Sequence, residues 1–369
     1  MTINSTVQAV HSLFQPLTTE KISVKNRIVM APMTRLFSPG GVPGADVAAY
    51  YRRRAANSTG LIITEGTTIN HPAASNHANI PTFHGEAALN GWAQVVKEVH
   101  EAGGKIIPQI WHVGTARKQG DPVSNPEVLP VGPSGLNVKG DETGKALTEA
   151  EIADIVQAFA QAAADAKRIG FDGVALHGAH GYLIDQFFWE VTNKRTDRYG
   201  GDIAGRTQFA VEIVEAIRKA VGPDFPIVLR ISQFKQEAYA AKLANNPEEL
   251  EQFLAPLVKA GVDIFDCSAR RFWEPEFEGS PLSFAGWVKK LSGKPVITVG
   301  SVGLNVDMTG QHTEDSKIET LIEKLDNQEF DLVAVGRALL ADPEWVEKIR
   351  TGRDEETLPY TRESVATLY

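Results

Sequence analysis

Eight short apolar runs punctuate the chain, at 27–33, 61–64, 105–111, 171–176, 227–231, 262–266, 295–299 and 331–335. They are rich in Val, Ile and Leu and continuous rather than alternating. That is the pattern of strands covered on both faces in a parallel sheet. Between them the apolar positions change to helical spacing, near 45–57, 85–102, 148–169, 204–220, 247–260, 284–291, 315–325 and 338–350. Thr148 with Glu151 forms a capping-box pattern, and Gly103, Gly170, Gly222, Gly261 and Gly293 stand where helices should end. Eight strand–helix units in 369 residues predict a single α/β domain over 1–369, a (β/α)8 TIM barrel with extended βα loops. The alternative, a doubly wound sheet, would carry a glycine-rich phosphate fingerprint after its first strand. Here the first run leads into Pro32, Met33, Thr34 and Arg35 instead.

Composition narrows the partners. A formal net charge of -9 disfavours a nucleic-acid surface or an anionic membrane. One cysteine excludes an internal disulfide and a cysteine-ligated iron–sulfur cluster. The first residues lack the basic start and apolar core of a signal peptide, and no apolar run is long enough to span a bilayer. A cytoplasmic protein is expected, monomeric or homo-oligomeric.

In a barrel, chemistry gathers where strands end. The fourth run feeds into His177, His180 and Tyr182. Two imidazoles and a phenol suit a carbonyl or oxyanion: N–H groups to hold the oxygen and an O–H to give up a proton. A single histidine there would be a hydrogen-bonded structural residue. A zinc site would need further ligands, which the lone Cys267 does not supply. The seventh and eighth runs end in Gly300-Ser301 and Gly336-Arg337, where barrels commonly hold a phosphate; ordinary tight connections are the alternative. Arg230 follows a buried run into the mouth, where it either pairs with Glu65 or Asp266 or stabilises a transient anion. Gln109 offers both donor and acceptor to a ring imide, or is satisfied by backbone. Of two long loops, 113–147 is a lid or a surface excursion. Loop 267–282 carries Phe272, Trp273 and Phe277 and is expected to wall the site.

These residues together resemble the old yellow enzyme family of flavin-dependent ene-reductases. The matching stretches are 26–35, Gln109 to His112, His177 to Leu183 with Gln186 and Phe187, 193–201, Arg230 to Ser232, and 334–338 with Asp342 and Pro343. They span nearly the whole chain, in order. The resemblance implies non-covalent FMN in the mouth, with NAD(P)H as reductant and a small-molecule α,β-unsaturated carbonyl compound as substrate. By the family pattern Pro32, Met33, Thr34, Gly66 and Gln109 border the ring, Arg230 faces its N1 side, and Gly300, Ser301, Gly336 and Arg337 take the phosphate. His177 and His180 match the pair that grips the substrate oxygen, Tyr182 the proton donor, and Trp111 a residue of the substrate pocket. Flavin N5 would pass a hydride to the β-carbon while Tyr182 protonates the α-carbon. No metal is expected.

The chain departs from the family in places. Asp202 to Arg206 replace a usual Ser-x-Glu-Asn-Arg, a segment reaching about Glu314 is inserted after Gly303, and His77 stands where relatives place an aromatic. The single cysteine excludes the larger members' cluster domain. Two other readings remain: an FMN dehydrogenase or demethylase-like enzyme, and a non-redox barrel that binds or isomerises a phosphate-bearing ligand.

Overall fold

A computed structural model describes residues 10–304 and 318–369. Eight parallel strands close into a barrel: β1 Ile28–Met30, β2 Leu61–Thr68, β3 Ile106–Trp111, β4 Val174–His180, β5 Ile227–Lys235, β6 Ile264–Ser268, β7 Val296–Val299 and β8 Leu332–Val335. Each pairs with its neighbours in sequence, and β8 returns to β1. Around them lie α1 Ala45–Ala56, α2 Glu86–Glu101, α3 Glu149–Arg168, α4 Leu183–Phe188, α5 Gln208–Val221, α6 Pro247–Ala260, α7 Phe284–Ser292, α8 Ile318–Asp326, α9 Arg337–Ala341 and α10 Trp345–Arg350. The expected (β/α)8 architecture is therefore present.

Local chemistry sets the boundaries. Thr148 accepts from the Glu151 N–H while the Glu151 carboxylate accepts from the Thr148 N–H, which closes the expected capping box of α3. Gly261 and Gly293 end α6 and α7 in left-handed geometry. The helix expected over 338–350 is two helices, α9 and α10, because Pro343 cannot continue the hydrogen-bond ladder. The strand expected over 171–176 starts later, at Val174, and runs on to His180. The insertion after Gly303 falls mostly outside the described residues, as do 315–317 of the helix expected there.

The interior is layered. Val29, Leu61, Ile63, Ile107, Ala175, Val228, Ile264, Ile297, Leu332 and Ala334, taken from all eight strands at alternate positions, form their own buried cluster. An antiparallel ribbon, Leu17–Thr18 against Ser23–Val24, adds Ile22 and Val24 to this cluster. A second, larger core lies between strands and helices. Among the described residues no helix is long and apolar enough to cross a membrane, and no group of three or more His, Cys, Asp or Glu could hold a metal.

Candidate active site

Side chains two residues apart on a strand share a face. Counting two onward from the apolar layer reaches Gln109 from Ile107, His177 from Ala175, Arg230 from Val228, and Asp266 from Ile264. The next layer of the interior is thus polar, and all four residues are buried. His177 is registered with Arg230, and Arg230 with Asp266, across β4, β5 and β6. Arg230 Nε lies 3.0 Å from Asp266 Oδ2, so this carboxylate is its ion-pair partner, although Nε makes no aligned hydrogen bond. Glu65 is not: its carboxylate accepts the Arg35 N–H, and its own N–H donates to Tyr51 of α1.

Two irregularities re-aim side chains. A register shift between Ile63 and Gly66 brings Gly66 opposite Gln109 and against the Trp111 ring, where any Cβ would lie 2.4 Å from Cε3. A second shift falls between Gly178 and His180, with His180 at φ 65°. Without it, residues three apart on a strand would face opposite sides. The surplus residues of this shift lie on β5, between Ile231 and Lys235, and it is the left-handed backbone at His180 that brings its ring back to His177, 5.3 Å away and edge to face. The pair therefore lies within the strand, not in the loop after it.

Tyr182 completes the cluster, its ring 4.8 Å from His177 and 4.7 Å from Trp111. Burial, then the neighbouring His180 and Arg230, hold His177 well below the ordinary imidazole value. Burial, Arg230 and Lys235 do the same to His180. Both rings are neutral near pH 7, each with one N–H to give. His180 Nε2 is 2.7 Å from Ser268 Oγ, while His177 Nδ1 is buried without a partner. Burial pushes the Tyr182 phenol up to about 12 against the pull of its hydrogen bond to Gln236, so it keeps its proton.

A buried ion pair braces this loop. Asp185 on α4 accepts from the Gly181 N–H at 2.7 Å and from Lys235 Nζ at 2.8 Å. Burial pushes Asp185 up and Lys235 down, each held back by the other's charge. Ser232 accepts the His180 N–H, and Gln236, next to Lys235, takes the Tyr182 hydroxyl. Asn193 and Arg195, from the stretch shared with the family, bond Phe187 O, Tyr199 O and Pro133 O, bracing α4 and the 113–147 loop.

Two clefts meet at His180 and Gln236. The first has a cavity volume of about 240 Å³ and opens to solvent. Its walls include Pro32, Met33, His180, Arg230, Gly300, Ser301, Gly336 and Arg337 of the expected set. Gly300 and Ser301 have consecutive positive φ of 156° and 55°, a corner at which a Cβ on Gly300 would strike Ala269 O at 2.6 Å. Arg337 stacks on Tyr360. Tyr182 faces the second cleft, walled by Lys118, Asn137, Lys139 and Glu237, so the 113–147 loop borders the site. Gln109 and Trp111 lie beneath, with Gln109 Nε2 and Trp111 Nε1 unpartnered. Thr34 is exposed on the β1 loop and is not brought to either wall.

One expectation needs correcting. Phe272 and Phe277 do not wall the site: they are buried, Phe277 against Trp287 of α7. The wall from that loop is Ala269, Arg270 and Arg271. His77 also lies away from the clefts, its ring accepting the Asn79 N–H. Sequence reasoning passed over Gln236, and it placed Ser268 and Arg270 at the end of the sixth run without giving either a role. Ser268 was within reach of the alternation, two residues beyond Asp266; the other two carry no pattern.

The sequence profile of the NADH:flavin oxidoreductase / NADH oxidase family matches residues 12–356. An NADH oxidase from Thermoanaerobacter brockii is 36% identical over 344 residues, 90% of this chain and 50% of that one. This chain spans about half the length of that relative and of several others. Among solved structures, morphinone reductase in complex with tetrahydroNAD has 31% identity and a TM-score of 0.80, covering 96% of this chain and 94% of that one. Old yellow enzyme from a Pichia species has 25% identity and a TM-score of 0.79, over 96% and 90%. A match along the whole barrel, joined to the polar layer in its mouth, places this chain in the NADH:flavin oxidoreductase / NADH oxidase family, the old yellow enzymes, whose non-covalent cofactor is FMN.

Proposed function

We propose that the chain is an NAD(P)H-dependent ene-reductase acting on α,β-unsaturated carbonyl compounds. The observation that carries this reading is the His177, His180 and Tyr182 cluster, two neutral imidazoles and a protonated phenol beside a cleft lined by the flavin-site residues. The mouth fits FMN. Gln109 Nε2 is a buried donor with nothing to bond, and Gly300, Ser301, Gly336 and Arg337 line one side of the cleft, where two glycines let an anion approach backbone and a guanidinium stands beside them.

Pro32, Met33, Gly66 and Gln109 would border the ring, Arg230 its N1 side, and Gly300, Ser301, Gly336 and Arg337 the phosphate; Thr34, exposed on the β1 loop, is left out of this set. When bound, FMN supplies the two-electron store that NAD(P)H fills and the carbonyl compound empties at its β-carbon. His177 and His180 donate to the carbonyl oxygen and polarise the conjugated double bond. Ser268, giving its own proton to His180 Nε2, frees the Nδ1–H for that oxygen. Tyr182 holds the proton destined for the α-carbon, and Gln236 fixes the direction of its O–H. Trp111 packs behind His177 and limits the pocket.

The test is anaerobic. Purified holoprotein is followed by its visible spectrum while NADPH and then cyclohexenone are added. Bleaching by NADPH and recovery on adding the enone are expected. Bleaching without recovery would overturn ene-reduction while leaving the flavin assignment intact.

A further inference from the structure

Arg230 is the cation nearest the proposed N1 side, yet its charge does not stand alone. Asp266 is directly across from it in the β5–β6 ladder, 3.0 Å from Nε, with Arg230 5% and Asp266 1% exposed. The other carboxylate oxygen, Oδ1, is buried without a partner. Among the described residues, Arg230 is the one group that opposes the effect of burial on this carboxylate. A guanidinium cannot shed its proton, so at this depth the pair's net charge is set by Asp266.

We infer that Asp266 is a positioning residue for Arg230 that holds down the positive charge reaching the flavin and so keeps its reduction potential low. The inference rests on the placement of Arg230 against the ring proposed above, and not on the identity of the substrate. Reduction adds negative charge at the N1 side. A bare guanidinium there would favour the reduced form strongly; one already facing a carboxylate favours it less. The device lowers the affinity of the site for reduced relative to oxidised FMN and leaves the bound cofactor a better donor.

Four holoproteins test this by dye-equilibrated redox titration of the bound FMN: wild type, Asp266→Asn, Arg230→Met, and the double variant. Asp266→Asn should raise the preference for reduced over oxidised FMN about ten-fold, which for a two-electron couple is about 30 mV upward. Arg230→Met should lower it. In the Arg230→Met background, Asp266→Asn should change it less than two-fold, because an unpaired carboxylate at that depth stays protonated. A shift below two-fold in the single Asp266→Asn variant, with Arg230→Met still lowering the potential, overturns this inference alone. No change on Arg230→Met overturns the proposed placement of Arg230. An equal Asp266→Asn shift with and without Arg230 shows that Asp266 acts on the flavin directly, and also overturns the inference. If the asparagine variant does not fold, Asp266→Ser, with room for a water at the guanidinium, must show the same upward shift.

Discussion

The barrel interior holds two neighbouring layers built on opposite terms. The lower one, from Leu61 and Ile107 round to Leu332, is apolar and sealed by Ile22 and Val24. One step up, Gln109, His177, Arg230 and Asp266 are as deeply buried but polar, and Gln109 Nε2, His177 Nδ1 and Asp266 Oδ1 find no partner. The same strands carry both layers, and the same two-residue repeat orients them. The difference teaches that strand geometry is indifferent to chemistry. The lower layer holds the barrel together; the upper one gives up stability for groups that wait for a ligand.

The comparison predicts that variants in the two layers fail differently. The largest effect is expected at the mouth: Tyr182→Phe should slow enone reduction about 100- to 10,000-fold, the usual range for a general acid. Stopped-flow reduction by NADPH and thermal melting should barely move, and equal loss in both half-reactions would deny Tyr182 its role. In the lower layer, Ile107→Ala should cost about 2–5 kcal/mol in denaturant titration. A loss below 1 kcal/mol would break the claim that this layer carries the stability. His177→Ala should weaken binding of a phenol, which mimics an enolate, by about 10- to 100-fold, the cost of one hydrogen bond to a charged oxygen; calorimetric titration reads it.

The smallest effect is at Glu65, turned from the mouth by the β2 irregularity. Burial pushes its carboxyl up to about 7. A folded value above the unfolded one means its contribution is full below about 4.5 and is lost as pH rises through about 7. Glu65→Gln, which mimics the neutral form, should therefore stabilise the fold at pH 8 by about 1–3 kcal/mol and less at pH 5. A gain larger at pH 5 than at pH 8 would reverse the sign and refute the assignment.

Much of this was legible in the chain. Apolar runs gave the strands, and strand ends gave His177, Arg230 and Gly336, because hydrophobic periodicity and barrel topology act over short distances. What escaped was set by pairs far apart. Lys235 meets Asp185 across 50 residues, and Ser268 meets His180 across 88. A lone Gln236 or Arg270 breaks no local rule. The aromatics of the 267–282 loop misled for the opposite reason: Phe277 looks wasteful in water, and it avoids water by packing on Trp287 rather than by lining the site. Asp266 was visible as a candidate partner for Arg230, but only the ladder register decided between it and Glu65.

The irregularity beside the histidines is carried by the neighbouring strand: two steps from Gly178 to His180 on β4 are matched by four from Ile231 to Lys235 on β5. The lie of His180 therefore hangs on a segment in which neither histidine stands, and Ser232 within it takes the His180 N–H. Inserting or deleting a residue at 232–234 should separate the two imidazoles while leaving both in the chain.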